Sequence, residues 1–260
     1  MNYDFYTYLW LHAQAFTMIL VRVGFLLAFL PVFSAVTPAP VKAALIIVIS
    51  LIFMPLVATQ LKPPNNVWEF VLRLIPEALL GLSLGLLIRV IFAGVQFGGQ
   101  LLGFQMGFGV AHVIDPVTGV EAPVLSQMAY LTAILLFLVF DIHHYFLLAL
   151  GESLKSFPVG SLKVPSPLFL ILVKQSAVLF RLALKLLAPV MAILLLMQIA
   201  LGLVSRFVPQ INVMIVSFPL TIGVGLFFFG LTLELLGHAL SLAYGQAVRG
   251  LPIIIKAFGG

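Results

Sequence analysis

Leu79-Leu-Gly-Leu-Ser-Leu-Gly-Leu-Leu-Ile-Arg-Val-Ile-Phe-Ala-Gly-Val-Gln-Phe-Gly-Gly-Gln-Leu-Leu-Gly103 is the stretch on which the fold turns, and Arg89 is its single charge. It exceeds the roughly 20 apolar residues that a helix needs to cross the hydrocarbon of a bilayer. Its glycines recur at intervals of four: Gly81 and Gly85, Gly94 and Gly98, then Gly99, Gly103 and, just beyond, Gly107. On a helix such a repeat clears a groove without side chains, into which a second helix can pack closely. Gln96 and Gln100 are also four apart and lie near the same face, where they offer hydrogen bonds across a protein interface. Gln96, Gly99, Gln100 and Gly103 are therefore expected to form a subunit-packing face.

Working outward, the rest of the chain has the same character. Of its 260 residues 63% are hydrophobic and 8% charged, with a mean hydropathy of +1.24. A soluble domain carries about 25% charged residues to cover its surface, and 21 here cannot do so. That excludes a soluble enzyme, a disordered chain and a disulfide scaffold, the last also because there is no cysteine. The expected fold class is an all-α integral membrane protein of about six long, partly kinked helices arranged as helical hairpins. No polar stretch is long enough for a nucleotide-binding or catalytic domain. The net charge of +5 is spread singly along the chain, a pattern that encodes membrane orientation rather than a nucleic-acid site. Counted over the expected loops, it puts both termini in the cytoplasm. Residues 1–16 lack a basic leader and a small-residue cleavage site, so this end is expected to remain on the mature protein.

Six apolar runs follow one another. The first, residues 9–33, is interrupted by His12, Gln14 and Arg22 and closed by Pro31, Pro38 and Pro40. The second, 43–57, fades at Pro55 before a helix-breaking turn over 60–66. The third starts near Val67 with Glu69, Arg73 and Glu77 four apart, which suits one helical face at a membrane boundary. The fourth, 122–150, holds Asp141, His143 and His144. A connector over 151–167, with Pro158, Gly160, Pro165 and Pro167, divides a four-helix part (1–160) from a C-terminal hairpin (161–260). The fifth run, 168–204, is too long for one upright span and carries Lys174, Arg181 and Lys185, a stripe suited to acids on another chain or to snorkelling. The turn 206–210 leads to the sixth, 211–247, loosened by Pro219, Gly223, Gly225 and Gly230.

Between the third and fourth runs, residues 110–123 read Val-Ala-His-Val-Ile-Asp-Pro-Val-Thr-Gly-Val-Glu-Ala-Pro. Asp115-Pro116 and Thr118-Gly119 are turn chemistry. Irregular backbone this apolar is tolerated at membrane depth only when it is buried in protein or lines a cavity, so it is either an external loop or a re-entrant, pore-occupying one. Residues 107–112 do not form a phosphate loop, because the third glycine is missing and no basic residue lies between Arg89 and Lys155. Adjacent histidines on a helix point about 100° apart, so His143 and His144 are not expected to share an ion. Glu234 and His238, four apart without a third ligand, read as a satisfied pair. No metal, cofactor or catalytic triad is expected, and the chain has no enzyme signature. A self-contained secondary transporter using buried Arg181, Glu234 and Asp141 is the competing class.

Gly98-Gly99-Gln100-Leu101-Leu102-Gly103-Phe104-Gln105-Met106-Gly107-Phe108-Gly109, with Val113-Ile114-Asp115-Pro116 and Val124-Leu125-Ser126-Gln127, resembles the FliR family of export-gate subunits of bacterial flagellar type III secretion. Arg22-Val23-Gly24, Pro31-Val32-Phe33-Ser34, His143-His144, Ser205-Arg206-Phe207-Val208-Pro209-Gln210-Ile211-Asn212-Val213 and Phe218-Pro219-Leu220 extend the resemblance along nearly the whole chain.

The resemblance implies one copy of this chain in a helical gate with P-type and Q-type subunits, the N-terminal part mimicking a P subunit and the hairpin a Q subunit. It implies B-type and A-type membrane proteins of the export apparatus as further partners, unfolded export substrates as cargo, and lipid around the assembly. The setting it implies is the bacterial inner membrane within the flagellar basal body, with energy supplied by an associated ATPase and the proton motive force. A loop from about Met106 to Pro123 would help plug the closed channel. In it Gly107 and Gly109 supply backbone freedom, Phe108, Val110, Val113 and Ile114 an apolar seal, and Asp115-Pro116 a rigid turn. Arg206, Pro209, Gln210 and Asn212 would form a turn facing a partner.

Overall fold

The computed structural model describes residues 5–35, 37–57, 64, 66–108, 124–157, 159–161, 164–207 and 213–259. They form helices α1 (Phe5–Phe29), α2 (Pro31–Ala35), α3 (Ala39–Val57), α4 (Val67–Gln105), α5 (Val124–Val139), α6 (Ile142–Ser156), α7 (Leu168–Phe207) and α8 (Val213–Phe258). No strand occurs among the described residues.

The punctuation follows local chemistry. Pro31 opens the short helix after α1, and α3 carries Pro40 in its first turn, where the missing N–H has no partner to lose. Asn66 caps α4: its Oδ1 accepts a 2.7 Å hydrogen bond from the Glu69 amide, satisfying one of the free donors at a helix start. The fourth apolar run is two helices, because Asp141 adopts φ 55°, ψ 25° and the segments on either side of it are bent by 61°.

Four segments are long and apolar enough to cross a membrane: Leu9–Phe29, Val67–Gln105, Leu187–Phe207 and Val216–Glu234, with the bent pair α5–α6 as a fifth. The apolar part of α3, Ala39–Pro55, is shorter. Helices α4, α7 and α8 have 39, 40 and 46 residues. At about 1.5 Å per residue each is roughly twice as long as the 30 Å hydrocarbon layer is thick, so part of each must tilt strongly or lie outside the layer.

The chain gathers into two compact units that interleave along the sequence. One holds Met1–Val90, Asp141–Ala177 and Gly245–Gly260; the other holds Ile91–Phe140 and Val178–Tyr244. In the first, α1 buries Ala15, Met18, Ile19, Val23, Leu26 and Leu27, a stripe spaced three to four residues apart that is the helical core face. Helix α1 packs on α3, and α3 on α6. The start of the glycine ladder brings α4 onto α1. A Cβ on Gly81 would collide with the carbonyl of Arg22, and one on Gly85 would come within 2.5 Å of the Phe29 Cβ. In the second unit Phe92, Phe137 and Tyr244 are buried together. Phe92 meets Phe137 edge-on with ring centres 5.8 Å apart and stacks on Tyr244 at 6.1 Å, while the Tyr244 hydroxyl donates to the Ala133 carbonyl at 2.7 Å.

Gly81→Leu has to push backbone rather than a flexible side-chain end, so it should destabilise the first unit by about 1–3 kcal/mol or more. Thermal unfolding in mild detergent checks this; an unchanged midpoint would contradict the close approach of α1 and α4.

Candidate functional site

Two constructions stand out, one in each unit. In the first, Arg22 from the middle of α1 and Glu77 from α4 meet with neither side chain exposed. Arg22 Nε donates to Glu77 Oε2 at 2.6 Å, and its Nη2 lies 2.5 Å from the same oxygen. Arg22 Nη1 donates to Ser153 Oγ on α6 at 3.0 Å, and that hydroxyl donates to the Leu150 carbonyl at 2.7 Å. The other carboxylate oxygen, Glu77 Oε1, accepts the Gly160 amide at 2.8 Å. Gly160 has φ +78°, a conformation glycine adopts without cost. One charge pair thus joins α1, α4, α6 and the turn after α6. The four-residue series is split by this arrangement: Arg73 pairs with Glu69 at the half-exposed start of α4, while Glu77 turns inward.

The second construction is the end of α4. Phe108 N–H bonds to the Gly103 carbonyl at 3.0 Å and Gly107 N–H to the Phe104 carbonyl at 3.1 Å. With Gly107 at φ +94°, this is a Schellman cap, the six-residue reversal that ends a helix on a left-handed glycine. The Phe218 ring lies 2.6 Å from where a Gly107 Cβ would stand, so conformation and space both demand glycine. A cavity of about 380 Å³ adjoins the turn, lined by Gln105, Gly107, Gln198, Ser217 and Thr221 among others.

Of the residues expected in the plug, Met106 is buried and Gly107 and Phe108 are half-buried at this cap. Gly109, Val110, Val113, Ile114, Asp115 and Pro116 lie outside the described residues, as do Pro209, Gln210 and Asn212 of the turn, whose Arg206 is exposed at the end of α7. The expected packing face needs revision. Gly99 is already filled by this chain: a Cβ there would come within 2.6 Å of the Ser126 Cα, and Ser126 Oγ donates to the Gln96 carbonyl at 2.9 Å. Gly98 faces Leu187 in the same way. Gly103 is buried, and Gln96 and Gln100 are half-buried. By contrast Gly202, Gly223, Gly230 and Gly237 have open space where a Cβ would point.

Three further expectations change. The rings of His143 and His144 lie 4.1 Å apart, and donor atoms of Asp141, His143 and His144 come within 4.8 Å of one another. Side-chain torsions overcome the 100° divergence of neighbouring Cβ directions. That spread still exceeds the ~3.4 Å between donors around a tetrahedral ion with bonds of about 2.1 Å, and the 3.3 Å contact of Asp141 with His144 is largely exposed. Glu234 and His238 are both exposed, and among the described residues the ion pairs are formed elsewhere. Arg181, Glu234 and Asp141 are each exposed, not buried as the competing transporter reading had them. Sequence reasoning missed the Arg22–Glu77 pair, although the signal was present. An arginine inside an apolar run needs an acid partner, and Glu77 is the acid inside the next charged run.

Residues 13–246 match the family described as bacterial export proteins, family 1. The chain belongs to that family. It is 34% identical over 220 residues to the flagellar biosynthetic protein FliR of Pectobacterium carotovorum subsp. carotovorum, covering 83% of each chain. It is 32% identical over 208 residues to the FliR of Escherichia coli strain K12, covering 80% of this chain and 79% of the relative. The FliR of Bacillus subtilis strain 168 is 39% identical over 171 residues, 63% of this chain and 65% of that one. The family match takes in every residue of both constructions.

Removing one member of the Arg22–Glu77 pair leaves a buried charge uncompensated, which costs about 3–5 kcal/mol, whereas apolar replacement of both is close to neutral. Arg22→Met and Glu77→Leu should each sharply lower the unfolding temperature in detergent, and the double variant should recover most of the loss. A double variant as unstable as the two single losses added together would contradict the pairing.

Proposed function

We propose that this chain is a core subunit of the flagellar type III protein export gate, forming part of the conduit through which unfolded flagellar proteins leave the cell. The observation that carries this reading is the family match over residues 13–246 to a chain whose helices have apolar faces that it does not cover itself. The spanning windows of α7 and α8, Leu187–Phe207 and Val216–Glu234, are only 17% and 22% buried, against 50% and 61% for those of α1 and α4. Such faces call for lipid or for other subunits, and the lengths of α7 and α8 favour subunits outside the hydrocarbon layer.

In this reading the chain sits once in a complex with P-type and Q-type gate subunits in the bacterial inner membrane, beside the B-type and A-type proteins of the export apparatus. Residues 1–160 occupy a P-like position and 161–260 a Q-like one, with the turn containing Arg206, Pro209, Gln210 and Asn212 toward a partner. The close-packing contribution shifts from Gly99 and Gly103 to the open glycines of α8. Gly223, Gly230 and Gly237 are seven apart and so share one helical face. The segment from Met106 to Pro116 plugs the resting conduit: Phe108, Val110, Val113 and Ile114 exclude water, Gly107 and Gly109 permit displacement, and Asp115-Pro116 stiffens the tip. No nucleotide is bound by this chain.

Two experiments test the reading. Deleting residues 107–116 should raise ion leakage through the assembled gate while the subunits still co-purify; unchanged conductance would sink the plug. Gly230→Leu should leave the separate chain as stable as before but reduce recovery of gate subunits with it, whereas Gly99→Leu should destabilise the chain itself. Recovery of only a lone monomer from gently solubilised membranes would overturn the gate assignment.

A further inference from the structure

A helix ends with four backbone carbonyls that lack intrahelical donors. At the end of α4 the carbonyls of Gly103 and Phe104 are taken by the Schellman bonds from Phe108 and Gly107. The next two, those of Gln105 and Met106, have no donor within α4. Both are reached from the C-terminal helices. Gln198 Nε2 of α7 donates to the Gln105 carbonyl at 2.8 Å, and Thr221 Oγ1 of α8 lies 3.2 Å from the Met106 carbonyl. Met106 itself is fully buried over Gly225, where a Cβ would come within 2.7 Å of its side chain.

We infer that Gln198 and Thr221 are positioning residues that complete the cap of α4 from α7 and α8 and so fix the turn from which the 107–116 segment departs. Each such hydrogen bond is worth about 1 kcal/mol net, so together these two donors bias the turn toward its docked position. The two are not equivalent. Thr221 has one hydroxyl proton and three carbonyls within reach, since Ser217 O at 2.9 Å and Phe218 O at 3.1 Å compete with Met106 O. Gln198 makes its contact from an exposed position and carries the larger share. The docked turn is also incompletely satisfied: Gln105 Oε1 is buried without a hydrogen-bond partner, which lowers the cost of releasing it. The consequence for export rests on the reading above that this segment closes the conduit.

The test uses the assembled gate in lipid nanodiscs carrying Gln198→Met with Thr221→Val, replacements of similar size without a donor, and Thr221→Ser, which keeps the hydroxyl. Amide hydrogen exchange at residues 106–108 should rise roughly thirtyfold in the double variant, the equivalent of two ordinary hydrogen bonds of about 1 kcal/mol each, and ion leakage should rise with it. Gln198→Met alone should give most of the effect, and Thr221→Ser should match the unmodified protein. General loosening of α7 and α8 would raise exchange along both helices, and that result would overturn the positioning role. So would unchanged exchange at 106–108, or faster exchange without leakage in a gate that leaks when residues 107–116 are deleted. If exchange rises but neither the double variant nor the deletion leaks, the anchor stands and the plug reading falls.

Discussion

The Arg22–Glu77 pair is the constraint on which the first unit depends. Stripping an ion of water costs several kcal/mol even after relaxation, so neither charge is tolerable inside an apolar bundle unless the other arrives in good geometry. Geometry is supplied by a glycine. Gly81 stands one helical turn beyond Glu77 and has no side chain to hold α1 away, and the backbone of Arg22 itself occupies the space. The same residue therefore presents its side chain to Glu77 and its carbonyl to Gly81. Ser153 accepts from Arg22 Nη1 and the Gly160 amide donates to the second carboxylate oxygen of Glu77, which carries the constraint to α6 and to the start of the connector. A buried ion pair of this kind adds little net stability against an apolar substitute, but it penalises every register in which the partners miss.

The second unit solves a different problem. A helix as apolar as α4 ends where its backbone can no longer satisfy itself, and the chain must leave it through a turn. Gly107 allows the reversal, Phe218 closes over it, and the remaining carbonyls take donors from α7 and α8. The turn is thus held by the C-terminal helices, far away in sequence. In an export gate that arrangement makes the segment after Gly107 answerable to the C-terminal hairpin, the part of the chain with the largest uncovered apolar faces.

Much of this was legible beforehand. Composition fixed the solvent, and the spacing of prolines and apolar runs marked the helices, with the 140–141 break hidden because Phe140 and Asp141 carry no proline or glycine. The glycine ladder was legible as a surface for close approach, but not whose surface. Gly81, Gly85, Gly98 and Gly99 turn out to receive helices of this chain, and the vacant glycines lie on α7 and α8. Spacing along one helix gives a face but carries no information about distance to a helix thirty or ninety residues away. For the same reason Glu77 read as the third member of a surface series with Glu69 and Arg73, since that pattern is identical whether the last residue points outward or inward.

By itself, then, the sequence determined that the chain lives in an apolar environment and where most of its apolar helical runs start and stop, because these follow from transfer free energies and from local backbone chemistry. Only the tertiary structure decided which acid neutralises Arg22, which glycines are already occupied, and which side chains cap the carbonyls of Gln105 and Met106. Those are pairings between residues 55, 27 and about 93 to 115 positions apart. Such pairings are selected by desolvation and packing, which act only once the helices have met.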